Sequence, residues 1–372
     1  MFDYATLKVI WWGLMSLIVI AYAITGGADI GVNLLLPIVG KNDDERRTIL
    51  STIGPTWEGN QVWLITLGAG AFAIWPVAYA AIFSSMYLAF MLVLFLLILR
   101  PPGFDYRDKL NFAVWRRIWD VALFSTGIGL SFCFGLVIGN FFTGIPFHFD
   151  EDLRAIYTGG FITLFSPCAI SFGIVSVCLL SVQGALFLQY KLPEKFYNAT
   201  NKVIKFFGIG YIVFFIVTGF YLLSMPGYIV KTIPDLSTIF IVTEKIVEQK
   251  IGGWFTNYML YKWLWFFPIF ALVGCILTIH LAQLKKDVMA LIIHSLVIAC
   301  TVLTAAIALF PFVMPSSSVY NHGLTIWDIA SSKLTLEWAL FAVIIFLPII
   351  LLYTGWVYKV TRGKVMSQND NY

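Results

Sequence analysis

Apolar runs of about 20 residues recur along this chain from end to end, and a run of that length is what an α-helix needs to cross a hydrocarbon layer about 30 Å thick. No other feature constrains the fold as strongly. Inside lipid every backbone N–H and C=O must be paired within the protein, so only helices and closed barrels can span it. The runs are continuous rather than alternating, which excludes a barrel. The expected fold is therefore an all-α integral membrane protein with about nine transmembrane helices, arranged as two four-helix bundles plus one peripheral helix.

The whole chain, 1–372, reads as a single polytopic membrane domain, with spans at roughly 9–36, 55–74, 77–99, 121–142, 161–189, 203–225, 261–280, 288–312 and 335–358. The stretch 61–99 is nearly uninterrupted, yet as one helix it would be about 58 Å long, so a hairpin is expected at Trp75-Pro76. Before the first span there is neither a basic n-region nor a small-residue cleavage site, so that span reads as a retained helix. Charged residues make up 12% of the chain, against about 25% in soluble domains. A net charge of +4 gives no reason to expect a nucleic-acid partner; the lipid bilayer is the expected surrounding.

Placement of the basic residues sets the expected orientation. With the N-terminus outside and the C-terminus cytoplasmic, 17 of the 24 Lys and Arg fall in inner segments, around 41–47, 100–117, 191–205, 285–286 and 359–364. The outer loops are an acidic stretch at Phe147–Asp152 and a long segment, 226–260, with room for a short amphipathic element at Glu244–Ile251.

Two carboxylates lie where lipid makes them costly. Asp29 follows sixteen largely apolar residues and sits beside Gly27-x-x-x-Gly31, a small-residue face that lets another helix approach. Glu58 stands in GPTWEGNQVWL, where a helix starting near Pro55 would put Trp57, Glu58, Asn60 and Gln61 in its first turn at the inner face. Glu58 either complements the helix dipole there or conducts protons. Asp29, Glu58, Asn60 and Gln61 are the proton-pathway candidates, and Trp57 and Trp63 the quinone, interface or interfacial-belt candidates. No catalytic or metal-binding residue is expected in this chain.

The remaining groups point to structure. Cys133, Cys168, Cys178, Cys275 and Cys300 form no CxxC pair and read as core residues. His148 and His322 fall in outer loops and His280 and His294 near the inner ends of spans, without the spacing of a haem or metal site. Trp11, Trp12 and the Trp263–Phe267 cluster suit an interfacial belt. Arg100 with Asp105, and Arg116 or Arg117 with Asp120, are expected as surface ion pairs.

Several blocks in order, FDYATLKVIWW, DDERR, IGPTWEGNQVWLIT, AxWPxxYAxxFS at 73–84, RPPGFDYR, FPFVMPSSS and LTIWDIASSKLTL, give the chain a further character. Over essentially its whole length it resembles subunit II of cytochrome bd-type ubiquinol oxidases. The resemblance implies a haem-free subunit of a quinol:oxygen oxidoreductase in the bacterial inner membrane. Its partner would be a larger subunit I holding haem b and haem d in a heterodimer, in some cases with a small single-helix accessory subunit. Quinol and oxygen would be the substrates, a proton gradient the product, and subunit II a contributor to proton or oxygen access and, in some members, a holder of bound ubiquinone. Where the family commonly reads Asp-Gly-Phe-Asp this chain has Gly26-Gly27-Ala28-Asp29, and the family's Trp-Asp-Gly-Asn-Gln-Val-Trp is here Trp57-Glu58-Gly59-Asn60-Gln61-Val62-Trp63. The alternative is a secondary transporter or channel-like protein, with Asp29 and the Trp75-Pro76 break forming a midplane ion site.

Overall fold

A computed structural model describes residues 2–232 and 242–365. The chain runs through helix α1 (Tyr4–Val39), α2 (Asp43–Ile53), α3 (Trp57–Ile74), α4 (Pro76–Ser85), α5 (Tyr87–Ile98), α6 (Arg100–Tyr106) and α7 (Ala113–Thr143). A hairpin of β1 (Phe147–Phe149) and β2 (Ala155–Tyr157) leads to α8 (Pro167–Lys191) and α9 (Tyr197–Ser224). Strands β3 (Pro226–Thr232) and β4 (Ile246–Ile251) precede α10 (Thr256–Leu260), α11 (Phe266–Gln283) and α12 (Asp287–Leu309). The short pair β5 (Phe312–Met314) and β6 (Leu324–Thr325) then gives way to α13 (Lys333–Val360).

Among the described residues, eight helices are long and apolar enough to cross a membrane, or nine when α3 and α4, bent by 120° about Trp75, count as one. The chain breaks at Trp75 because Pro76 cannot continue the helix before it but suits the first position of the next. Side-chain oxygens start several other helices: Asn42 accepts from Glu45 N at 2.9 Å, Ser166 from Ala169 N at 3.1 Å and Ser332 from Thr335 N at 3.2 Å. Helix α3 begins at Trp57, two residues beyond the expected start at Pro55.

Helices α1, α3, α5 and α7 pack as one group and α8, α9, α11 and α12 as another, while α13 lies along α1 and α3 with Leu336 its only buried residue. The groups join along the α7–α8 packing and where α8 crosses α1. A Cβ on Gly31 would lie 2.1 Å from Leu180 O, and one on Gly184 2.4 Å from Gly31 C, so only glycines permit this backbone approach. The small-residue face expected around Gly31 is this crossing.

The two ends of the bundle differ. At one, Arg107 is 1% exposed and donates to Asp120 at 2.6 Å and Asp43 at 2.8 Å, while Arg46 reaches Asp120 at 2.9 Å and Arg116 reaches Asp43 at 2.7 Å. This corrects the expected pairs: Asp120 is taken by Arg46 and Arg107, because α2 folds back over the start of α7. At the other end the three strand pairs form a cap, bridged by Ile145 and Ser316. The expected amphipathic element at 244–251 is strand from Ile246 onward, paired with β3 and burying Val247. Trp11 is also corrected. It is 3% exposed and its Nε1 donates to Leu336 O at 3.1 Å, so it packs under α13 rather than in a lipid-facing belt.

Candidate functional site

Helices α1, α3 and α13 meet around a set of buried polar side chains. Asp29, 1% exposed, belongs to an unbroken α1 and accepts from Asn60 Nδ2 at 2.9 Å. Asn60 also accepts, at 3.0 Å through its Oδ1, from the hydroxyl of Tyr358 on α13. One helical turn beyond Asp29, Asn33 is fully buried. From the start of α6, Arg100 turns inward and donates from Nη1 to Gln61 Oε1 at 2.8 Å. Arg100 is thus 1% exposed and paired with an amide, not with Asp105 as expected from their proximity in sequence.

Hydrogen-bonding capacity is left over here. Asp29 Oδ1, both polar atoms of the Asn33 amide, and Arg100 Nε and Nη2 are buried without a hydrogen-bond partner among the described residues. Buried polar groups are almost always satisfied by protein or ordered water. A concentration of unmet donors and acceptors among apolar helices is therefore a polar seam suited to holding water or passing protons.

The sequence candidates divide. Asp29, Asn60 and Gln61 belong to the seam. Glu58 does not: it is exposed in the first turn of α3 and makes no hydrogen bond or ion pair to the described residues. Trp57 packs on Phe104, with ring centroids 5.0 Å apart, and lines a cavity of about 220 Å³ with Gln61, Arg100 and Pro101. Trp63 turns out to be 7% exposed and packs with Tyr22, Ile30 and Leu130, inside the bundle rather than at its surface.

Among the described histidines, His294 is the one buried within a span, its Nε2 lies 3.1 Å from Leu179 O, and Ala290, Val297 and Ile298 beside it on α12 are fully buried. No three His, Cys, Asp or Glu side chains converge as metal ligands among the described residues.

Many-helix packing around an internal polar seam, with strand pairs confined to one end, defines a polytopic membrane subunit. The family model for cytochrome bd terminal oxidase subunit II matches residues 7–361. Subunit 2 of the cytochrome bd-I ubiquinol oxidase of Escherichia coli K12 is 40% identical over 370 residues, covering 99% of this chain and 98% of that one. A probable cytochrome oxidase subunit 2 of Haemophilus influenzae is also 40% identical, over 98% of this chain and 97% of its own length. A solved bd oxidase structure from Geobacillus thermodenitrificans shares the fold with a TM-score of 0.69 at 16% identity, over 95% of this chain and 98% of the matched chain. The chain belongs to the cytochrome bd terminal oxidase subunit II family, and is a subunit of a respiratory oxidase of the bacterial inner membrane.

Proposed function

We propose that the chain is the haem-free subunit of a quinol:oxygen oxidoreductase, joined as a heterodimer to a subunit I that carries the haems and oxidises quinol. What supports this reading is the family together with histidines whose spacing in the sequence lacks that of a haem site. Haem would supply the electron transfer and oxygen chemistry in the partner. This chain's part is to admit protons, and the seam carries that reading: Asp29, Asn60, Tyr358, Gln61 and Arg100 form two short hydrogen-bonded groups, each with spare hydrogen-bonding capacity.

Glu58 lies outside the seam, one residue from Trp57 and two from Asn60, on a surface that a partner would cover. We assign it the collecting role there, with Asn60 and Gln61 leading inward. Quinone is a weaker assignment for this chain alone, because the cavity at Trp57 of about 220 Å³ is smaller than the roughly 300–1,000 Å³ of small-molecule sites. A partner surface has to complete it. The 17 basic residues of the expected inner segments favour an outside N-terminus and a cytoplasmic C-terminus. Cysteine labelling of the 107–112 connection from inside only is the expected result.

The transporter alternative gives way because Asp29 lies in continuous helix rather than at a break. An optical spectrum of the chain alone and of the assembled complex tests the main reading. All Soret absorbance should follow the partner, and a stoichiometric Soret band from this chain alone would sink it.

A further inference from the structure

At the end of the bundle that carries the C-terminus, α13 does not run free into solvent. Lys191, at the end of α8, donates its ammonium to Thr361 O, and Val365 N returns a bond to Lys191 O at 2.8 Å. Gly363, with φ of +119°, makes the turn between these two attachments. The strap holds Arg362 and Lys364 opposite the tight α11–α12 turn, which carries Lys285 and Lys286. Between them lies a cavity of about 620 Å³, also lined by Tyr190 and Asp287.

The balance of charge in this cavity is positive. Among the described residues, four basic side chains from two elements face one carboxylate, Asp287, which already accepts from the Tyr197 hydroxyl, and Lys285 has a further acid near it, Glu194 at 3.6 Å. Lys364 and Lys285 lie 5.2 and 5.3 Å from the Tyr197 ring centroid, so that ring keeps the two ammonium groups close together. Like charges held together this way favour an anion between them.

A second observation identifies the kind of anion. From the cavity edge an apolar stripe runs down α12 into the bundle's mid-depth: Val288, Met289 and Ile292, each 55% exposed, then Leu296 at 47%. Their spacing keeps them on one face of the helix. A soluble phosphate would use the basic cavity and ignore the stripe, whereas a phospholipid would use both.

We propose that this end of the molecule is a binding site for an anionic phospholipid, with the phosphodiester among Lys286, Arg362 and Lys364 and an acyl chain along Val288, Met289 and Ile292. A basic cavity at the helix ends, continuous with an exposed apolar helix face, has the two-part chemistry of such a ligand.

The test uses the assembled, purified oxidase in detergent micelles doped with phosphatidylglycerol or phosphatidylcholine, counting retained lipid by native mass spectrometry. The triple variant Lys286→Gln/Arg362→Gln/Lys364→Gln should lose affinity for phosphatidylglycerol by on the order of 100-fold, about fivefold for each charge. Removing charge elsewhere at this end, Lys109→Gln/Arg117→Gln, should leave retention unchanged. Ile292→Asn should weaken phosphatidylglycerol severalfold. Equal retention by the triple variant and the wild type, equal retention of phosphatidylcholine, or an equal loss in the control pair would overturn the proposal. So would inorganic phosphate displacing the lipid at matched concentration with no effect of Ile292→Asn, since the ligand would then be a water-soluble anion.

Discussion

Two buried polar clusters in this molecule make opposite use of their hydrogen bonds. In the cap, Lys245 and Asp328 have fully buried side chains 2.5 Å apart, and Asp328 also accepts from the backbone N of Thr325 at 2.8 Å and its hydroxyl at 3.0 Å. Every carboxylate oxygen there has a partner. In the seam, Asp29 has one oxygen bonded to Asn60 and, among the described residues, no partner for the other, nor has the Asn33 amide one turn on. A saturated cluster fixes a loop in one arrangement. An unsaturated one keeps sites through which water and protons can exchange. Burial alone does not tell the two clusters apart, since both are buried, whereas hydrogen-bond saturation does.

The largest effect should come from breaking the saturated pair. Burial works against both charged forms, raising Asp328 and lowering Lys245, so each keeps its charge chiefly because of the other. Lys245→Met leaves the carboxylate buried without its cation and should cost about 3–5 kcal/mol, read as a lower unfolding midpoint of the complex. Adding Asp328→Leu should recover most of that loss. Oxygen consumption per assembled haem should stay near the wild-type value in both. A pair of variants equal in stability would mean the ion pair does not hold the cap.

The next largest effect belongs to the seam and runs the other way. Asp29→Asn preserves shape and a hydrogen bond to Asn60 but cannot release a proton. Turnover with quinol should fall by about tenfold or more, within the range for loss of a proton-transfer group, while the unfolding midpoint moves little. Native turnover in an assembled Asp29→Asn complex would reduce the seam to a packing feature.

These clusters were unequally legible in the sequence. Asp29, Asn60 and Gln61 stand out because polar residues interrupt apolar runs, and lipid makes each interruption costly. Their partners carry no such mark. Arg100 follows a span at the membrane boundary, where a charge is ordinary, and Tyr358 lies 298 positions from the Asn60 it bonds, in a segment that reads as lipid-facing. Lys245 and Asp328 sit in polar loops, and only the folded cap brings them together. The helices were legible because composition and length decide them. The strand pairs were not, because stretches of two to seven residues carry too little periodicity to be told from loop.

Glu58 tests where the seam begins, with a smaller effect. In the chain by itself it complements the N-terminal end of α3, and Glu58→Gln removes that along with any proton collection. A role in collection predicts a severalfold fall in turnover with haem content unchanged, and wild-type rates for Glu58→Asp, the residue common in the family at that position. If Glu58→Gln turns over normally, the dipole reading stands and protons reach Asp29 by another route.

The smallest effect distinguishes the ends by pH. His322 in the cap accepts from Phe149 N at 2.9 Å through Nδ1, which requires that nitrogen to be unprotonated. Burial, then the nearby charges of Lys245 and His148, lower its pKa below the ordinary value of 6.5. The unfolded chain therefore takes up a proton at a pH where the folded cap does not. The stabilising contribution is complete above pH 6.5 and is lost as pH falls through the folded-state value. One proton sets a ceiling of about 1.4 kcal/mol per pH unit, and this half-exposed ring should show well under that because solvent screens it. His322→Phe keeps a ring against Phe149, where the centroids are now 5.9 Å apart, but cannot titrate. Between pH 7.5 and 5.5 the wild-type midpoint should fall more than that of His322→Phe. Parallel slopes in the two proteins would leave the cap's acid sensitivity to its carboxylates.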